Sequence, residues 1–73
     1  MTPSDIKAWR ESLGYSQGAA ADALGVTKTT YQAMERGRSF ATDKPVAIDR
    51  RTALACAAIA AGLPPWPPGA TTE

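Results

Sequence analysis

Histidine is absent from the 73-residue chain, and cysteine occurs once, at Cys56. A lone cysteine excludes an internal disulfide, and without histidine there is no ligand set for a zinc site. No reactive setting surrounds Cys56, no carboxylates cluster, and no glycine-rich phosphate loop is present. No catalytic activity, metal or cofactor is therefore expected. Long apolar runs are missing as well. The alanine-rich stretch 53–61 falls short of the ~20 apolar residues of a membrane span. An early Asp5 with no apolar core behind it is unlike a secretory signal. The expectation is a cytoplasmic protein with no membrane partner and no small-molecule substrate.

Net charge is only +1, but it is unevenly spread. Residues 1–26 carry Lys7 and Arg10 against Asp5, Glu11 and Asp22. Residues 27–51 carry Lys28, Arg36, Arg38, Lys44, Arg50 and Arg51 against Glu35, Asp43 and Asp49. Beyond Arg51 the only charge is Glu73. A middle segment three positive charges in excess suits contact with phosphates. The length allows one small domain, burying only about 60% of the surface its unfolded chain exposes.

The organising stretch is SQGAAADALGVTKTTYQAMERG, from Ser16 to Gly37. It predicts two short helices joined at Leu24-Gly25-Val26-Thr27. Gly25 suits the left-handed residue that closes a helix, and Ser16 and Thr27 suit N-caps. Ala20, Ala21, Leu24, Tyr31 and Met34 keep helical spacing and predict the inner face. Lys28, Thr29, Gln32, Ala33 and Arg36 are then left on the outer side of the second helix.

These residues resemble the helix-turn-helix proteins of the phage repressor and Cro (XRE-like) type. The pattern is carried by Ser16, Gln17, Ala21, Leu24, Gly25, Val26, Thr27, Tyr31, Glu35 and Gly37, and extends back through Ile6, Arg10 and Leu13. Tyr31 replaces the usual aliphatic residue, Met34 stands where an aromatic or leucine is common, and Gly18 loosens the first motif helix. The resemblance implies an all-α, compact four-helix domain over residues 1–63, with room for a fifth short turn. It also implies a structural ion pair between Arg10 and Glu35. Arg10 lies on an apolar stripe, where a buried charge requires a partner. The resemblance further implies that the recognition helix 28–36 enters the major groove of double-stranded DNA. Lys28, Thr29, Gln32 and Ala33 would face base edges, with chemistry suited to guanine, adenine or a thymine methyl. Gln17, Thr27, Arg36, Arg38 and Lys44 would contact phosphates. Gln17 would also brace the recognition helix.

Around this motif, Thr2-Pro3-Ser4-Asp5 predicts a capped helix running to about Leu13, with Gly14 ending it. Trp9 is expected in the packing. Residues 38–48 read as a loop turning at Asp43-Lys44-Pro45, with Phe40 as its anchor. A fourth helix is predicted from Arg50 to Ala61, capped by Asp49 and stopped by Gly62. Cys56 is expected to be buried there. Residues 64–73 form a proline-rich tail: Pro64 to Pro68 should be polyproline-like, Trp66 could dock on the domain, and 69–73 should fray.

The expected function is a sequence-specific transcriptional regulator of prokaryotic or phage type. It would be a repressor acting by occupying an inverted-repeat operator, since 73 residues leave no room for an effector domain. An antitoxin of a toxin–antitoxin pair and a helical interaction module without DNA binding are the alternatives. A homodimer is expected on the fourth helix, which has no charge between Thr52 and Leu63. Helical spacing puts Cys56, Ile59 and Leu63 on one side and Leu54, Ala57, Ala58 and Ala61 on the other. One side would meet the core and the other the partner. Leu54, Ala58, Ile59 and Leu63 are the interface candidates.

Overall fold

A computed structural model describes residues 1–67. The expectations for Pro68 and for fraying of 69–73 lie outside that range. Four helices form: α1 (Pro3–Ser12), α2 (Gln17–Leu24), α3 (Lys28–Arg36) and α4 (Arg50–Ala60). No fifth helix is present among the described residues. Each helix starts on a side-chain cap. Thr2, Ser16, Thr27 and Asp49 accept from the backbone N–H of Asp5, Ala19, Thr30 and Thr52. At α1 the cap is reciprocal, because the Asp5 carboxylate accepts from the Thr2 N–H at 2.8 Å. These donors have no partner inside the helix, so each cap contributes about 1 kcal/mol.

The ends are set by left-handed glycines. Gly25 (φ +72°) closes α2 and lets the Val26 N–H donate back to the Ala21 carbonyl at 3.0 Å. Gly37 (φ +81°) closes α3 beside Pro3, and a Cβ there would lie 3.2 Å from the Pro3 Cγ. A side chain at that position would therefore be strained by the left-handed backbone and would crowd Pro3.

Ile6, Trp9, Ala20, Ala21, Tyr31, Met34 and Cys56 form the core, bordered by Leu13, Tyr15, Leu24, Val26, Val46, Ile48 and Ile59. Tyr31 is fully buried, and its hydroxyl donates to the Ile6 carbonyl at 3.3 Å. An aromatic thus fits the expected aliphatic position by finding an acceptor on α1. Burial, and next the nearby Glu35 carboxylate, push the phenol well above its ordinary pKa. Trp9 donates from Nε1 to the Cys56 carbonyl at 2.9 Å and meets Tyr15 edge-on at 6.2 Å. That hydrogen bond ties α1 to α4. Burial also raises the Cys56 thiol pKa, so the group is an inert filler.

Two expectations about the C-terminal part are corrected. Leu63 borders the same cleft as Ile59 but does not follow Cys56 into the core. The helix ends at Ala60, Gly62 turns left-handed, and the Leu63 N–H donates back to the Ala58 carbonyl, so helical spacing stops applying. Leu63 is 61% exposed. Trp66 is 88% exposed rather than docked. Ile59 packs against the core while Leu54 is 58% exposed, so of the two sides that the spacing separates, the one with Leu54 faces outward and remains the interface candidate. At 100° per residue the outward side of α4 carries Arg50, Leu54, Ala57 and Ala61. Beside it, Ala23, Ala55, Ala58, Ile59, Leu63, Pro64 and Pro65 line an apolar cleft of about 270 Å³.

Candidate nucleic-acid interface

The outer row of α3 begins right after its Thr27 cap. The Thr27 hydroxyl accepts from the Thr30 N–H at 3.2 Å and donates to the Thr30 hydroxyl at 2.9 Å. Lys28 and Thr29 are exposed, and Gln32 is half-buried one turn later. Ala33 does not present itself with them, which corrects its expected place on the contact surface. It is only 8% exposed. Its single methyl stands no higher than the backbone, and Thr29, Thr30 and Arg36 occupy the helix surface around it.

The inner side of α3 is locked by a polar network. Arg10 Nε donates to Glu35 Oε2 at 2.6 Å, and Arg10 Nη2 donates to Glu35 Oε1 at 3.2 Å. This is the bidentate fork that favours arginine over lysine. Arg10 Nη1 donates to the Tyr15 carbonyl at 3.1 Å. The side chains are 15% and 8% exposed, so the pair is largely withdrawn from water. Burial alone would push the Glu35 carboxyl up. Hydrogen bonds from Arg10 and Gln17 outweigh it and hold the pKa below the usual carboxylate range. Glu35 in turn raises the Arg10 pKa.

Gln17 extends the lock outward. Its Nε2 donates to Glu35 Oε1 at 3.1 Å, and its Oε1 accepts from Gln32 Nε2 at 3.2 Å. The first residue of α2 therefore braces α3 and fixes the direction of Gln32 in the outer row. No buried side-chain nitrogen or oxygen among the described residues lacks a partner. A fully satisfied network of this kind holds its members in one geometry.

A cleft of about 450 Å³ opens over this network, lined by Lys7, Gln17, Gln32, Glu35, Arg36 and Phe40. Lys7 was missed by the sequence reading, although it lies three residues before Arg10 on the same helix face and could have been found by that spacing. Phe40 is 52% exposed rather than a buried anchor. Its ring instead lies under the Arg36 guanidinium, 4.7 Å from Cζ to the centroid. Arg36 also reaches Asp43 Oδ1 at 3.4 Å, and Arg38 donates from Nη1 to the Asp43 carbonyl at 2.9 Å. Both arginines are thus engaged within the loop. Lys44 is exposed.

Residues 6–44 match the family model described as helix-turn-helix, which spans α1 to α3 and most of the following loop. No curated protein and no solved structure gives a significant match to the chain.

Proposed function

The chain belongs to the helix-turn-helix family of Cro/repressor type and is a DNA-binding regulator; we propose that it is a repressor that occupies an inverted-repeat operator as a homodimer. The supporting observation is the outer row of α3. Lys28, Thr29 and a pre-oriented Gln32 stand on a helix whose inner side is locked to α1 through Arg10 and Glu35. Rigid donors at the start of such a helix match base edges in the major groove. Gln17, Thr27, Arg36, Arg38 and Lys44 would hold phosphates and set register without reading sequence. The protein would act in the cytoplasm, on the nucleoid.

One copy offers few base contacts, and non-specific affinity alone is typically ~10⁻⁴–10⁻⁶ M. A second copy on a second half-site supplies the rest. The outward side of α4, with Leu54, Ala57 and Ala61, and the adjoining cleft at Ala58 and Leu63 are the surface for it. They are apolar and reachable, and Ile59 both packs against the core and lines that cleft. The experiment is selection from a pool of randomised duplexes, followed by footprinting. Enrichment of an inverted repeat with half-sites about one helical turn apart is expected. Recovery of no preferred sequence would overturn the reading. Recovery of single half-sites, each filled by one chain, would overturn the dimer.

A further inference from the structure

Asp43 is an anion placed in the most basic part of the chain. The loop after α3 folds into a compact turn. The Ser39 N–H donates to the Lys44 carbonyl at 2.9 Å, the Asp43 N–H donates to the Ser39 carbonyl at 2.9 Å, and the Val46 N–H donates to the Gly37 carbonyl at 3.0 Å. Asp43 takes the left-handed conformation at φ +54°. Asparagine and glycine serve that backbone as well as aspartate does, so the geometry does not call for a charge. A carboxylate here subtracts from attraction to DNA, and the turn does not explain its presence.

Its contacts explain it. The carboxylate meets Arg36 at 3.4 Å, and the carbonyl of the same residue accepts from Arg38 at 2.9 Å. Phe40 holds the Arg36 guanidinium from its ring face. One residue therefore offers two oxygens to the two arginines assigned to DNA phosphates, with the acceptor chemistry of a phosphodiester. The Arg36–Asp43 pair is 44% and 71% exposed, unlike the pair of Arg10 with Glu35. An exposed pair is weak and readily exchanged.

We infer that Asp43 is an internal competitor for DNA phosphate: it occupies Arg36 in the free protein and so lowers affinity for DNA whatever its sequence. The inference rests on the DNA-binding reading.

The experiment measures affinity of the full chain for a random-sequence duplex against salt concentration. It compares the unmodified protein with Asp43→Asn, Arg36→Ala and the double variant, and uses Asp43→Gly as a second variant that keeps the turn. Asp43→Asn and Asp43→Gly should each tighten binding about two- to fivefold at low salt, the worth of an exposed pair. In the Arg36→Ala background the gain should vanish. An equal gain without Arg36 would mean that Asp43 acts only through overall charge, and would overturn the inference. So would unchanged or weaker binding by both Asp43 variants. If the unmodified protein bound no duplex at any salt concentration, the DNA-binding reading would fall together with this one.

Discussion

α3 and α4 are of similar length, and each turns one row of side chains into the same core, yet their outward rows are made of different material. On α3 the outer row is polar or basic, and a chain of hydrogen bonds from Arg10 through Glu35 and Gln17 to Gln32 holds it in place. On α4 the outer row is Leu54, Ala57 and Ala61, with charge only at Arg50 near its start. α4 is attached through Cys56, Ile59 and the Trp9 hydrogen bond. A pre-ordered row of donors suits a polar, patterned ligand. An apolar row suits another apolar surface and gains nothing from fixed donors. In the proposed dimer, reading and assembly would fall to different helices.

The comparison breaks most readily at the lock. Arg10→Ala or Glu35→Ala should each destabilise the fold by about 3–5 kcal/mol, because either leaves a buried charge unpaired. Urea unfolding of both single variants and the double variant measures it, and a coupling energy near zero would mean that α3 is held by apolar packing alone. Next come the two sides of α4. Ile59→Glu should destabilise the domain by more than about 1 kcal/mol, since it puts a charge on the apolar border of the core. Leu54→Glu should leave unfolding within about 0.5 kcal/mol of the unmodified protein, yet weaken self-association in sedimentation equilibrium. If Leu54→Glu changes neither association nor operator affinity, the assembly role of α4 is wrong.

Smaller effects sharpen the α3 side. Thr29→Ala and Gln32→Ala should cost about 1–3 kcal/mol on the cognate site and shift base preference at one or two positions. Arg38→Ala should weaken all sequences alike and reduce the salt slope by about 1. Competition binding against single-base operator variants separates the two patterns. The smallest effect is on pH dependence. The Glu35 pKa is depressed in the folded state, so the unfolded chain binds the extra proton first. The contribution of Glu35 is therefore fully present above the ordinary glutamate pKa, about 4.3, and is lost as pH falls through its lower folded value. Glu35→Gln, already weaker at neutral pH, should show a flatter acid limb in denaturation series between about pH 5 and 2. An unchanged limb would mean that other carboxylates carry the acid sensitivity; the depressed capping groups Asp5 and Asp49 are the candidates.

Local chemistry determined the four helices and their ends. Thr2, Ser16, Thr27 and Asp49 cap because their oxygens lie within reach of N–H groups three residues on. Gly25 and Gly37 terminate because left-handed backbone excludes most side chains. That Arg10 needs a partner was legible from a charge on an apolar stripe, whereas Glu35 as that partner came from the family resemblance. Only the tertiary structure decided matters that depend on side-chain reach and on what lies across the gap. Ala33 lies on the outer arc of α3 by spacing, but its methyl is too short to emerge. Leu63 follows the periodicity of α4 by number, but the helix ends before it. Phe40, Arg36 and Asp43 meet through a loop whose backbone no periodic rule describes. Which apolar side of α4 turns inward was settled by Trp9 and the core it meets, because the uncharged stretch from Thr52 onward carries no signal of its own orientation.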